Sequence, residues 1–312
     1  MKLTPGKFEL SGVGYILIVS LFFGIMPALT QLSYKAGLSV ETMLASRYFL
    51  TLVISWMYIS VKRIDCHIKA NQLISLLMIG AVYIGVAVFI NQSYLYLPGA
   101  IASTLVFSYV SMTLVIAILI GREKPNLIKG FCVLLSLAGI LLIAWTPAGT
   151  RGFSAIGLIS VFLAAFFYAL YAILLGDVKL ARVNNAVIVG YTLIVPTIFN
   201  IIRCLIKQEP LLPSSGTQYA YILVLAIFCT FLPQLWYCKA VKLIGSSNTA
   251  IINTIEPVIA YFAGMILLSD VLAVKALMGG ALIVSSIILL NYVNNSQGRL
   301  ILFIKSHRVS KE

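Results

Sequence analysis

Ten runs of apolar residues, each long enough to cross a bilayer, occupy this chain almost end to end. About 20 residues at ~1.5 Å rise per residue carry a helix through the hydrocarbon layer. The runs fall at about 12–33, 41–61, 72–95, 99–120, 127–145, 153–175, 185–206, 218–240, 247–269 and 275–292. The connections between them are short. Leu97-Pro98-Gly99 is the tightest, and turn chemistry marks Pro125-Asn126, Pro147-Ala148-Gly149, Asn184-Asn185 and Pro213-Ser214-Ser215-Gly216. Short connections force neighbouring helices to run antiparallel. Only 10% of the 312 residues are charged and the mean hydropathy is +1.04, against about 25% charged in a soluble domain. An all-α integral membrane protein of ten transmembrane helices follows, with no room for a sizeable soluble domain.

The ninth run differs from the rest. It carries Asn253, Thr254, Glu256 and Pro257 near its middle. An ionisable residue at that depth costs ~2.5–3.5 kcal/mol on insertion scales unless it faces a bundle interior or water. Pro257 has no N–H, so the carbonyl of Asn253, four residues earlier, loses its helical partner. A polar, weakened point in a spanning helix suggests a pathway through the membrane.

The net charge of +13 reflects orientation rather than nucleic-acid binding. With the N-terminus in the cytoplasm, cytoplasmic segments hold sixteen of the twenty-two Lys and Arg residues, including Lys62, Arg63, Lys69 and the basic tail 293–312. The outside holds five, namely Lys35, Arg151, Arg203, Lys207 and Lys275, and Arg47 is inside a span. This asymmetry predicts that both termini face the cytoplasm. No cleavable signal peptide is expected, because the first run continues into Gln31 and Lys35. The five cysteines lack metal-ligand spacing and read as small buried residues.

The chain also repeats itself. Tyr94 to Thr104 answers Cys238 to Thr249 at an offset near 146, and Leu119-Ile120-Gly121-Arg122-Glu123 answers Ile266-Leu267-Leu268-Ser269-Asp270 at 147. Phe22-Phe23-Gly24 answers Phe166-Phe167-Tyr168 at 144. The two halves are 12–145 and 153–292, each with five spans. Five is odd, so the second half enters the membrane the opposite way round, a device of transporters with a site near the midplane.

Two units of five spans resemble the EamA-type family of the drug/metabolite transporter superfamily, over about 12–292. Ala45-Ser46-Arg47-Tyr48-Phe49-Leu50 is similar to the family's Arg-aromatic pattern in the second span. Ile255-Glu256-Pro257-Val258 followed by Leu267-Leu268-Ser269-Asp270 is similar to its proline-then-"LGE" pattern, with Asp270 in place of the usual Glu. Ser111 stands where the fourth span would usually have its proline. The resemblance implies a cofactor-free carrier of small metabolites, amino acids or drugs across the bacterial inner membrane.

Candidate pathway residues follow from depth and helical spacing. They are Gln31 in the first span, Tyr83 and Asn91 in the third, Ser108 and Ser111 in the fourth, Tyr168 and Tyr171 in the sixth. The eighth adds Gln234 and Trp236, and the ninth Asn253 and Glu256. Tyr, Trp, Asn and Gln together suit a small neutral or zwitterionic solute with an apolar body. Competing readings exist for each kind: aromatics near span ends anchor at the interface, and small polar residues ease helix contact. Arg47, ~9 Å below the outer end of its helix, is expected to make a structural pairing ahead of two other readings, snorkelling to the outer headgroups and direct contact with the solute. Glu256, ~16 Å deep, suits proton coupling or support of the Pro257 kink equally well.

A membrane-embedded enzyme would need clustered His, Asp, Glu or Cys at one membrane face, and the sequence offers none, nor a phosphate-binding glycine motif. A pore would be expected to show charge rings or a filter loop. The expectation is a carrier that is not an enzyme, binds a small-molecule solute amid membrane lipid, and uses neither nucleic acid, metal nor cofactor. The alternative is a regulatory or adaptor membrane protein. Substrate, direction, energy source and homodimerisation are open at this point.

Overall fold

The computed structural model describes residues 10–120, 127–144, 154–175, 183–244, 249, 252–253, 255–269, 274–275, 277–289 and 292. All regular structure among them is helical. The helices are α1 (Leu10–Lys35), α2 (Val40–Val61), α3 (Ala70–Ser93), α4 (Gly99–Val106), α5 (Tyr109–Leu119) and α6 (Leu127–Ala144). There follow α7 (Ala155–Leu175), α8 (Asn185–Thr192), α9 (Ile194–Ile206), α10 (Gly216–Ala226), α11 (Leu232–Ile244), α12 (Glu256–Leu268) and α13 (Leu277–Leu289). Residues 293–312, the expected basic tail, lie outside the described residues.

Among the described residues, seven stretches are long and apolar enough to cross a membrane: Ser11–Lys35, Val40–Val61, Ala70–Ser93, Gly99–Ile116, Ala155–Leu174, Asn185–Ile206 and Gly216–Ala240. Three shorter apolar helices, Gly130–Leu142, Glu256–Leu268 and Leu277–Leu289, fall in the remaining runs. Among the described residues, seven of the ten expected runs are thus long and apolar enough to span, and the other three hold shorter apolar helices. In the ninth run Thr249, Ile252 and Asn253 are helical, the backbone turns at Ile255, and α12 begins at Glu256, a break that fits Pro257, which cannot donate to Asn253.

Local chemistry sets the boundaries. Ser39 Oγ caps α2 by accepting the Thr42 N–H at 3.2 Å. Asn184 and Ser215 cap α8 and α10 in the same way. Proline then breaks the long runs from inside. Pro196 cannot donate to Thr192, and the helix parts at Leu193 into α8 and α9. Between α10 and α11 the ladder shifts to a π-turn, Ile227–Phe231, in which the Leu232 N–H reaches the Ile227 carbonyl. Pro233 follows immediately and would leave the Cys229 carbonyl unpaired in α register.

Burial is inverted relative to a soluble protein. The side chains of Leu17, Ile18 and Leu21, of Phe49, Val53 and Met57, and of Ile198, Ile202 and Leu205 are exposed. Their helical spacing makes continuous apolar outer faces, too large for a soluble monomer. Ser20, Gln31, Arg47, Thr51, Asn91, Ser103 and Ser108 are buried inside. This is an all-α, multi-spanning membrane protein.

In the interior, α3 lies against α7, and α1 against both α11 and α12. α2 runs along α9 and α10, α4 meets α12, and α5 meets α7. Close approach depends on small residues. A Cβ at Gly24 would stand 2.7 Å from Ile259 and 3.0 Å from the Glu256 carbonyl. Glycine there lets α1 bring Ser20 to the start of α12.

Candidate functional site

Where α1 meets α12, three polar side chains form a chain. Ser20 Oγ lies 2.9 Å from both Asn253 Oδ1 and the Ile16 carbonyl, so its one proton is shared. Asn253 Nδ2 donates to Glu256 Oε2 at 3.0 Å. Glu256 is the first residue of α12, where the helix dipole favours a carboxylate. Its position thereby offsets part of the cost of placing an acid at that depth. The rings of Tyr94, Tyr109, Tyr168 and Tyr237 lie within its electrostatic range.

A run of aromatic rings crosses the interior from α2 to α5. Ring centroids are 6.1 Å apart for Tyr48 and Tyr83, 5.3 Å for Tyr83 and Tyr171, and 5.8 Å for Tyr171 and Tyr168. Tyr168 and Tyr109 stack at 4.2 Å. Gln234 Nε2 donates to the Tyr83 hydroxyl at 3.4 Å. Tyr83, Tyr168, Tyr171 and Gln234, chosen from sequence on three separate spans, are thus brought together. Tyr48 and Tyr109 complete the run and were missed. The signal for Tyr48 was its place beside Arg47.

Arg47 is 3% exposed and stands at the near end of that run, its Cζ 5.8 Å from the Tyr48 ring centre. Its Nε donates to Thr230 Oγ1 at 2.7 Å, and its Nη2 to the Cys229 carbonyl at 3.4 Å and Met26 Sδ at 3.0 Å. Thr230 in turn donates to the Leu225 carbonyl, five residues back across the π-turn. So Arg47 caps the carbonyl that Pro233 cannot serve. Its partners are a hydroxyl, a carbonyl and a thioether. Among the described residues no carboxylate stands within ion-pair distance. Tyr94 lies within electrostatic range of both Arg47 and Glu256.

Other sequence-chosen residues lie elsewhere. Gln31 Nε2 donates to the carbonyls of Tyr94 and Leu97 at 2.8 Å each, and its Oε1 accepts from the Gly99 N–H at 3.2 Å. Both its N–H donors and one acceptor site of its oxygen serve the α3–α4 turn. Asn91 donates back to the Ala87 carbonyl at 2.8 Å and faces the Tyr34 hydroxyl. Trp236 sits in the α1–α11 contact, 6.3 Å from the rings of Tyr15 and Phe22. Ser108 is buried at the break between α4 and α5, its hydroxyl without a partner among the described residues. Ser111 is buried one turn on. Pro257 is buried at the start of α12 against α1 and α4, and Thr254 lies outside the described residues.

Polar links join neighbouring segments at the end of the bundle where α1 terminates. Arg203 Nη2 and Lys207 Nζ each lie 2.8 Å from Glu41 Oε1. Thr42 and Ser46 donate to the Pro210 and Leu211 carbonyls, and Gln218 to that of Ala36. A cavity of about 450 Å³ opens at this end, lined by Gln31, Tyr34, Lys35, Tyr94, Leu95, Tyr96 and Ser154. Tyr94 is common to this cavity and to the field of both Arg47 and Glu256. Among the described residues, no three His, Cys, Asp or Glu side chains gather as a metal ion would require.

Comparison with known proteins adds the family. No curated protein matches the chain. A crystal structure of a protein 15% identical superposes with a TM-score of 0.64, covering 92% of this chain and 98% of that one. At that identity the likeness concerns the fold alone. The EamA-like transporter family matches at residues 10–145 and again at 155–292. Its members are transporters and not enzymes, and this chain belongs to the EamA-like transporter family.

Proposed function

We propose that this protein is a secondary carrier of a small solute, built as two inverted five-helix repeats that alternate access to a site between them. One observation carries the reading, a reciprocity in which helices touch. The third run rests on the sixth (α3 on α7), and the eighth rests on the first (α11 on α1). Under an exchange of halves, first for sixth and third for eighth, each of these contacts becomes the other. The second-run contact with the seventh (α2 on α9) and the fourth with the ninth (α4 on α12) each map onto themselves. Two family matches of similar length, 10–145 and 155–292, support the same division. Inverted repeats with equivalent contacts can swap conformations at little net energetic cost, which is what alternating access requires.

The solute path in this reading runs between the halves, past the Tyr83–Tyr171 rings and the Ser20–Asn253–Glu256 chain. It lies in the inner membrane with both termini cytoplasmic. Purified protein in proteoliposomes should show saturable uptake and counterflow of a cognate solute found by comparing cell and medium metabolites. Flux without saturation or counterflow would indicate a channel, and no flux of any candidate would favour the adaptor reading. External thiol labelling of a cysteine at Ser214, but not of one at Lys305, checks the orientation.

A further inference from the structure

We propose that Arg47 is the anion-binding group of the solute site, and that the solute carries a carboxylate on an aromatic or apolar body. This rests on the carrier reading above and names its substrate class. Arg47 is a buried cation with no counter-charge among the described residues. The four described carboxylates are Glu41, Asp65, Glu209 and Glu256. Glu41, on the same helix, is already engaged by Arg203 and Lys207, and Glu256 by Asn253. Asp65 accepts the His67 N–H in the α2–α3 connection, and Glu209 lies in the connection after α9. A buried charge left uncompensated is costly, and an entering anion removes that cost.

The geometry of the guanidinium suits such a guest. Its Nε is fixed by the short bond to Thr230, which aims the group and leaves the Nη1–Nη2 edge as its fork. Nη2 holds only a long contact to the Cys229 carbonyl and one to a thioether, both weak beside a carboxylate. Nη1 has no hydrogen bond among the described residues. A planar fork of two N–H donors matches a carboxylate in a way a lysine ammonium does not. The support is unusual as well. A π-turn bent at Pro233 presents Thr230 and Cys229 to α2, and π-turns concentrate at functional sites.

The second independent observation is the wall beside it. Tyr48 lies against Arg47, and the rings of Tyr83, Tyr171, Tyr168 and Tyr109 continue from there. A guest anchored at Arg47 by its acid would lay its body along those faces, with the Gln234–Tyr83 pair offering polar contact.

The test compares 3-phenylpropionate with its neutral analogue 3-phenylpropionamide on the full-length protein in lipid nanodiscs, following binding calorimetrically. The acid is expected to bind saturably, and the amide about tenfold more weakly or worse, as loss of charge-assisted hydrogen bonds implies. Arg47→Lys keeps the charge but not the fork, and should weaken the acid by a similar factor and narrow the gap to the amide. Equal binding of acid and amide to the wild-type protein, or binding of neither, overturns the proposal without recourse to any variant. An undiminished gap in a folded Arg47→Lys protein overturns it too. Counterflow of some other solute beside these negative results keeps the carrier and removes only the anion site. Clear acid–amide discrimination with no counterflow of either compound removes the carrier and keeps the site.

Discussion

Arg203 Nη2 stands 2.8 Å from Glu41 Oε1, joining the end of α9 to the first turn of α2. Lys207 Nζ reaches the same oxygen at the same distance. The two partners are not equal. Lys207 is 54% exposed and its share is screened by solvent, whereas the Glu41 side chain is 8% exposed and Arg203 17%. Glu41→Gln should cost about 1–3 kcal/mol, since it leaves a mostly buried guanidinium without its charge partner. Lys207→Met should change stability by less than about 0.5 kcal/mol. Thermal unfolding of the purified variants, with an Arg203→Met double-mutant cycle, checks both. Equal losses for Glu41→Gln and Lys207→Met would show that the α2–α9 closure rests on neither pair in particular.

Thr230 connects Arg47 to the π-turn, so its hydroxyl should matter more than its methyl. Thr230→Val removes the acceptor of the 2.7 Å bond and strands a buried Nε–H, at a cost of about 1–3 kcal/mol. Thr230→Ser keeps the oxygen and should fall within about 1 kcal/mol of the parent. Thermal stability in detergent, measured on all three proteins, decides. A valine variant as stable as the serine variant would mean that Arg47 finds another partner.

Glu256 accepts a hydrogen bond from Asn253, and an amide oxygen can accept the same bond. Glu256→Gln should therefore give near-normal folded yield and retain solute exchange and pH-dependent uphill flux. Glu256→Leu should fall well below it in yield, because Asn253 Nδ2 then loses its acceptor near the first turn of α12. If the glutamine variant folds and exchanges yet cannot concentrate solute, Glu256 is a proton site rather than a support for the helix start.

Gln31 serves three backbone groups of one turn, the carbonyls of Tyr94 and Leu97 and the N–H of Gly99. Gln31→Leu should cost about 2–5 kcal/mol, each buried group left unpaired adding ~1–3 before relaxation. Its effect belongs to folding. Transport per folded molecule should stay within about twofold of the parent, since 1.4 kcal/mol corresponds to a factor of ten and no binding contact is removed. A normal folded yield with lost transport would return Gln31 to the solute path.

Much of this protein was legible in its residues. Apolar runs of spanning length compel helices, since backbone groups in lipid must be paired within the chain. Glu256 and Arg47 stood out by energetic cost alone, and Pro257 foretold the break in the ninth run. Proximity was not legible. Ser20 carries no signal in a run of apolar residues, and it reaches Asn253 only because Gly24 lets α1 close on α12. Nothing in the one-dimensional pattern distinguished Gln31, spent on a turn, from Gln234, set beside Tyr83. Both are amides on apolar helices, and which partner each meets depends on helix rotation and crossing, not on spacing along the chain. The neutral frame around Arg47 has the same origin. Glu41 shares its helix, yet Arg203 and Lys207 at the end of α9 engage Glu41 and the π-turn supplies Thr230 to Arg47. Hydropathy determined that these segments cross the membrane, because transfer to lipid depends on each segment's own composition. Tertiary structure decided which buried charge is left unneutralised, because electrostatic compensation depends on distances between helices far apart in sequence.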